Sequence, residues 1–102
     1  GAIKKDGPSA GIAITTSILS LILNKKVEND IAFTGEISLN GEILKVGGIK
    51  EKIIGAYNHG IKTVYIPFGN ELDLEEIPEE IKNKLKIVLV KNYKEIYEEL
   101  FL

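Results

Sequence analysis

Residues 30–46 read D-I-A-F-T-G-E-I-S-L-N-G-E-I-L-K-V, in which apolar and polar residues alternate on both sides of Asn40-Gly41. Both turn residues tolerate positive φ, and this dipeptide between two strand patterns is the strongest short-range signal for a β-hairpin. We therefore predict one strand over residues 30–39 and a second over residues 42–46, joined by a turn at Asn40-Gly41. Gly35 would mark a bulge or bend within the first strand.

Helical patterns lie on both sides of the predicted hairpin. The first helix is predicted to start at a cap on residues 6–7, to hold Pro8 and Ser9 in its first turn, and to end near Leu23. Proline suits the first helical position because the hydrogen bond it lacks would be missing there anyway. A second helix is predicted over residues 49–58, between two glycine-containing turns.

The second half of the chain repeats the alternation of strand and helix patterns. We predict a buried strand over residues 63–66 that stops at Pro67, and another over residues 86–90. Loop and helix, broken at Pro78, are predicted between them, and an amphipathic helix is predicted over residues 93–102. This order of elements is typical of an α/β (α+β) fold, with a mixed sheet, a hairpin and packed helices.

Composition excludes several classes of protein. The chain has 102 residues, 44% of them hydrophobic and 27% charged, which is typical of one small globular domain. Its charge is −2, its basic residues are scattered, and it has no cysteine and one histidine. We therefore expect no nucleic-acid binding, no thiol chemistry and no metal site. The apolar run at 12–23 is shorter than the ~20 residues that span a bilayer, so no membrane contact is expected.

Ser9 is a candidate nucleophile because it lies in the first turn of a predicted helix, where free backbone N–H groups would stabilise an oxyanion. A helix cap is an equally good interpretation from position alone. A base for Ser9 could be Lys50, Lys52 or His59, and their periodicity does not choose between the two lysines. A lysine acts as a base only when it is desolvated. Lys52 and Lys50 both stand beside apolar residues, which favours partial burial, and the alternative for either lysine is a solvated surface charge.

The alternative for each candidate base is a structural role. His59 stands at the predicted end of a helix, where histidine commonly interacts with the negative helix terminus. Thr34 and Glu36, in F-T-G-E, are polar candidates beside the predicted bend, and Thr34 could orient a lysine amine. Neither glycine-rich stretch has the spacing of a nucleotide-binding loop, so no ATP binding by this chain is expected.

Four segments of the chain resemble the proteolytic domain of the Lon family of ATP-dependent serine proteases. They are K-D-G-P-S-A-G at 5–11, F-T-G-E-I-S-L at 33–39, V-G-G-I-K-E-K at 46–52 and G-I-K-T-V-Y-I-P at 60–67. The likeness runs in register from Lys4 to the terminal Y-K-E-I-Y-E-E-L-F. It implies a Ser-Lys dyad in which Ser9 is the nucleophile and Lys52 the base, with Thr34 and Asp6 supporting the lysine.

The resemblance also implies an organisation for the whole protein. Residues 1–102 would be most of a Lon-type proteolytic domain, and its first strands, the ATPase module and the N-terminal region would lie outside this chain. ATP and magnesium would be bound by that module, with no cofactor in this chain, and the full polypeptide would form a hexameric ring acting on unfolded or damaged proteins. The expected location is the bacterial cytoplasm or the mitochondrial matrix. The alternative is a Lon-like ring-forming or binding module without proteolysis.

Overall fold

The structure is a computed structural model that describes residues 10–102. From β4 onward, strands alternate with helical segments along the chain. They are β1 (Ala10–Gly11), α1 (Ile12–Leu23), β2 (Ile31–Phe33), β3 (Glu36–Ile37), β4 (Ile43–Leu44), α2 (Ile49–Asn58), β5 (Thr63–Pro67), a 3₁₀ helix (Phe68–Glu76), α3 (Glu79–Lys84), β6 (Lys86–Val90) and α4 (Tyr93–Phe101).

The strands form two small sheets of opposite type. One is antiparallel, with the order β1-β3-β4, and the other is parallel, with the order β2-β5-β6. In the parallel sheet β5 is central, and its whole length pairs with β6, from Thr63 opposite Lys86 to Pro67 opposite Val90. The predicted α/β class is confirmed, and Pro67 closes its strand as expected.

The predicted strand over residues 30–39 is wrong as a single element. It divides at Thr34-Gly35, because β2 belongs to the parallel sheet and β3 to the antiparallel sheet. Gly35 has φ +127°, and a Cβ there would lie 3.0 Å from Pro67 Cγ and 3.1 Å from Ile12 Cδ1. The crossing therefore requires glycine for its backbone angle and for the space that it leaves.

The hairpin between β3 and β4 is confirmed, but its turn differs from the predicted one. Ser38 N–H donates to Glu42 O at 2.9 Å, which closes a three-residue loop over residues 39–41. Gly41 has φ +90°, whereas Asn40 does not have positive φ. A three-residue loop needs the left-handed conformation only at its last position, so one glycine suffices.

The predicted start of the first helix is wrong within the described residues. Ala10 and Gly11 pair antiparallel with β3, and α1 begins after them with Gly11 as its N-cap. The helix ends at Leu23 as predicted, and Asn24 closes it in the left-handed conformation with φ 54°. The bounds predicted for α2 are confirmed, and Gly60, with φ +80°, follows it.

Helices cover both faces of the parallel sheet. Successive residues of β5 point to opposite faces, so Val64 and Ile66 pack on one side and Tyr65 on the other. The first core cluster joins α2 and α3 to the sheet through Ile49, Ile53, Val64, Ile66, Ile77, Ile81 and Leu85. The second joins α1, β4 and α4 to it through Ile12, Ile43, Tyr65, Val90, Tyr93 and Ile96. In residues 10–102 no helix has the length and apolar content to cross a bilayer.

Candidate active site

A cavity of about 300 Å³ lies where the chain crosses between the two sheets, next to α2. Polar groups and an apolar wall share its lining. The lining residues are Gly11, Ala32, Phe33, Thr34, Gly35, Glu36, Val46, Lys52, Ala56 and Val64. Two residues predicted to cooperate, Thr34 and Lys52, are therefore brought to one cavity by elements separated in sequence.

Thr34 is held at the end of β2 by its backbone. Its N–H donates to Tyr65 O at 3.0 Å, which extends the pairing between β2 and β5 by one residue. Its side chain is 8% exposed, and Oγ1 has no hydrogen-bond partner among the described residues. Leaving a buried hydroxyl unpaired costs about 1–3 kcal/mol. A polar group that reached Oγ1 would satisfy this hydroxyl.

Lys52 lies in the first half of α2, with its N–H donating to Gly48 O at 3.1 Å. The expected partial burial is wrong, because its side chain is exposed in this chain. Lys50 is exposed as well and lines a separate depression, with Asp73 and Glu76 on the far wall. Since each residue of a helix is rotated by about 100° from the one before it, these two lysines face different surroundings, and of the two only Lys52 shares the cavity with Thr34.

His59 does not line the cavity. It is exposed at the end of α2, where its Nδ1–H donates to Gly55 O at 2.8 Å. This contact satisfies one of the free carbonyl groups at a helix C-terminus. This position fits the alternative given for His59, an interaction with the helix C-terminus.

Ser9 and Asp6 lie outside the described residues, so their predicted roles remain predictions. Gly11, the second residue after Ser9 in the sequence, lines the cavity. Its neighbour Ile12 donates its N–H to Gly35 O at 3.2 Å, which fixes the start of α1 to the crossing.

An aromatic pair supports the cavity from behind. The rings of Phe33 and Tyr65 stack with centroids 5.5 Å apart and planes 13° apart. Burial raises the pKa of Tyr65, and the nearby Glu99 carboxylate raises it further through its charge and a hydrogen bond of 3.4 Å. The neutral phenol is therefore the stable form, which suits its packed position behind Phe33.

Sequence reasoning missed Asn70, which is 1% exposed in the 3₁₀ helix. Its side chain binds the backbone of Val46, a residue of the cavity wall. Asparagine is common in exposed turns, so its type and neighbours gave no signal of a buried role. In the part of the chain that the structure describes, no group of three or more acidic or histidine side chains is arranged to hold a metal.

Comparison with known proteins assigns the chain to a class and then to a family. Residues 1–102 match the family model described as the Lon protease (S16) C-terminal proteolytic domain. The Lon protease of Fusobacterium nucleatum is 53% identical over 96 residues, which are 94% of this chain and 12% of that protein. The Lon protease of Mycoplasma genitalium is 52% identical over 101 residues, which are 99% of this chain and 13% of that protein.

A third relative, the Lon protease of Fervidobacterium nodosum, is 51% identical over 98 residues, which are 96% of this chain and 12% of that protein. The chain therefore belongs to the family of Lon protease C-terminal proteolytic domains, and the resemblance found in its sequence is confirmed. It spans about an eighth of the length of these curated relatives.

Proposed function

We propose that this chain is the proteolytic domain of a Lon-type, ATP-dependent serine endopeptidase that uses Ser9 and Lys52. The observation that carries the proposal is the cavity shared by Lys52 and Thr34, whose hydroxyl has no partner among the described residues, in a chain that belongs to this family. A shared cavity supports the proposal that Thr34 orients the base.

The proposed reaction is acyl transfer through a covalent intermediate. The uncharged Lys52 amine takes the proton of Ser9 Oγ, and the oxygen attacks the carbonyl carbon of a peptide bond. Backbone N–H groups near Ser9 stabilise the oxyanion, and the leaving amine takes the proton from Lys52. Water then attacks the ester carbonyl carbon and gives a proton to Lys52, the bond from that carbon to Ser9 Oγ breaks to leave a carboxylic acid, and Lys52 returns the proton to Ser9 Oγ. Thr34 accepts a hydrogen bond from the amine, and Asp6 pairs with it when the site is idle.

Desolvation of the amine requires more than the residues described. The aliphatic part of the cavity wall, from Val46, Ala56 and Val64, supplies one apolar side. Because Lys52 is exposed, we propose that bound substrate and the rest of the assembled enzyme exclude water from the other side. Apolar surroundings disfavour the charged form of an amine, which is what a lysine base needs.

The remaining parts of the activity are proposed for the full polypeptide. An ATPase module binds ATP and magnesium and delivers unfolded or damaged proteins, and the protein assembles as a hexameric ring. Because the chain spans 12% of the Fusobacterium nucleatum relative, there is room in such a protein for these parts. The proposed location is the cytoplasm of a bacterium or the mitochondrial matrix of a eukaryote.

Hydrolysis of a fluorogenic peptide by the full-length protein tests the proposal. Ser9→Ala and Lys52→Ala are each expected to lower kcat by at least about a thousandfold, because the two side chains act as one unit. Lys50→Ala and His59→Ala are matched controls that keep the wild-type rate. Cleavage at the wild-type rate by Lys52→Ala would refute the assignment of the base. Loss of activity in His59→Ala, with Lys52→Ala active, would transfer that role to the histidine.

A further inference from the structure

The connection from β4 to α2 determines where Lys52 lies, and one side chain pairs with its backbone. Val46 follows β4, outside both sheets, and it lines the cavity. Its N–H donates to Asn70 Oδ1 at 3.1 Å, and its carbonyl accepts a hydrogen bond from Asn70 Nδ2 at 2.7 Å. The amide of Asn70 therefore takes the place of a neighbouring strand at this residue.

Asn70 is itself fixed by its surroundings. It is 1% exposed, and its Nδ2 also donates to Asp73 Oδ2 at 2.7 Å. Both amide hydrogens and the oxygen are thus engaged, so a flipped amide would lose every one of these bonds. Gly69 permits the close approach, since a Cβ there would lie 3.3 Å from Lys45 Cβ.

The position of Val46 matters because flexible residues follow it. Gly47 and Gly48 are exposed, and Gly48 adopts φ +71° before α2 begins at Ile49. Glycine allows many backbone conformations, so the pair alone does not define the direction of the helix. The hydrogen bonds between Asn70 and Val46 fix the chain directly before this glycine pair, three residues ahead of the start of α2.

Packing in the core is a second constraint on the position of α2, and it does not replace the hydrogen bonds between Asn70 and Val46. Ile49 and Ile53 anchor the buried side of α2 at 2% and 0% exposure. Apolar contacts are not directional, so they tolerate small shifts of a helix along its own axis. A hydrogen-bonded pair does not tolerate such shifts, because its energy falls steeply with distance and angle.

We propose that Asn70 is a positioning residue that holds the Val46 backbone and thereby sets the Lys52 amine opposite the Thr34 hydroxyl. This inference rests on the proposed function, in which Lys52 is the base. It extends that function to a side chain on the far side of α2 that does not line the cavity. Since displacement of a catalytic group by about 1 Å costs on the order of a hundredfold in rate, loss of this support is expected to reduce turnover.

The test compares Asn70→Ala and Asn70→Asp with a matched control in the full-length protein. Asn92→Ala is the control, because Asn92 is a half-buried asparagine at the start of α4 whose side chain, like that of Asn70, accepts a backbone N–H, that of Lys94 at 2.9 Å. Steady-state cleavage of a fluorogenic peptide is measured at a temperature at which circular dichroism shows all variants folded. Hydrogen exchange of residues 46–52 is followed in the same samples.

A positioning role predicts that the Asn70 variants lose about 10- to 100-fold in kcat, with KM changed less than about threefold. Exchange over residues 46–52 should accelerate while exchange in β5 stays slow. Asn92→Ala should keep its kcat within about twofold of the wild-type value, even if its melting temperature falls as much as that of the Asn70 variants. If Asn70→Ala does not fold, Asn70→Asp decides, since it keeps the side-chain size and the acceptor for Val46 N–H.

A folded Asn70 variant with wild-type kcat would overturn the inference. So would an equal loss of kcat in Asn92→Ala, which would show a general effect of stability. Ser9→Ala and Lys52→Ala, measured in parallel, separate the two proposals. If they are inactive while the Asn70 variants cleave normally, only the positioning role fails, and if Lys52→Ala is active, the proposed function fails with it.

Discussion

The helix α2 and the N-cap of α1, Gly11, both line the candidate cavity, and the two helices are held in the fold in different ways. In α2 the buried residues Ile49 and Ile53 recur at helical spacing and pack into the core under β5. In α1 only Ile12 and Thr16 are buried, both near its start. Apolar side chains further along α1 are exposed, among them Ile14 (63%), Ile18 (51%), Leu21 (82%) and Ile22 (71%).

The difference shows how a helix can be located by few contacts. The buried isoleucines of α2 fix its rotation, so the face that carries Lys52 is defined by the core. The start of α1 is located by the burial of Ile12 and by two hydrogen bonds: Ile12 N–H donates to Gly35 O at 3.2 Å, and Thr16 Oγ1 and Tyr93 Oη lie 2.8 Å apart. Packing therefore dominates in α2, and polar contacts have a share in holding α1.

The largest effect is expected from Ile53→Ala, at the centre of the buried stripe of α2. Ile53 is 0% exposed, so its truncation removes buried apolar contacts and leaves a cavity. Such changes cost about 2–5 kcal/mol in the free energy of unfolding. Urea denaturation followed by circular dichroism measures the loss. A loss below about 1 kcal/mol would show that α2 is not held by this packing.

A smaller effect is expected from Thr16→Val, which breaks the polar anchor of α1. The substitution leaves the Tyr93 hydroxyl buried without this partner, at a cost of about 1–3 kcal/mol. The double variant with Tyr93→Phe should lose less than the sum of the single variants, because it removes both partners. Additive losses in the same denaturation assay would show that the two hydroxyls do not interact.

Alkaline pH should weaken the same anchor. Burial raises the pKa of Tyr93, although its hydrogen bond with Thr16 lowers it slightly. A tyrosine whose pKa is raised in the folded state contributes stability that is complete below the pKa of free tyrosine, about 10. This contribution is lost as the pH rises through the folded value, because the unfolded chain releases its proton first.

Unfolding free energies measured above and below about pH 10 test this expectation. Between the two pH values, Tyr93→Phe should lose less unfolding free energy than the wild type. The loss that remains in this variant should come partly from Tyr65, whose pKa is also raised. An identical loss of unfolding free energy in both proteins would mean that Tyr93 does not contribute.

The smallest effect is expected from Ile18→Ala, the same substitution as Ile53→Ala but on the exposed side of α1. Ile18 is 51% exposed, and alanine is the better helix former, so the two contributions oppose each other. The change in unfolding free energy should stay within about 0.5 kcal/mol. A loss as large as that of Ile53→Ala would remove the distinction between the two helices.

The parts of the fold that sequence reasoning predicted correctly are those with a regular pattern and a clear boundary. The glycine-containing turns at 47–48 and 59–60 indicated the bounds of α2. The turn signal at Asn40-Gly41 gave the hairpin. Local patterns were sufficient in both cases because the structure there follows from neighbouring residues.

The errors in the predicted elements arise where residues distant in sequence determine the local structure. Alternation continues through Thr34-Gly35, so nothing local shows that the strand passes from one sheet to the other at that point. The space that Gly35 must leave free is taken by Pro67 and Ile12, which are distant in sequence. The start of α1 was placed too early for a similar reason, since Gly11 pairs with β3.

The candidate site was predicted to a different extent for each residue. Periodicity left Lys50 and Lys52 equivalent, and the cavity separates them because only Lys52 faces the crossing between the sheets. The exposure of Lys52 was not foreseen, since a flanking position on a helix does not say how much of a long side chain is covered. Ser9 and Asp6 stay predictions.

The crossing at Gly35 also decides where this chain can accept added sequence. Three elements meet there: Ile12 of α1, Pro67 of β5 and Ile43 of β4 each approach the vacant Cβ position within 3.4 Å. An inserted residue at 34–36 would have to displace all of them together. The segment 26–28 is mostly exposed and belongs to no helix or strand, and a short epitope tag placed there should leave the domain intact.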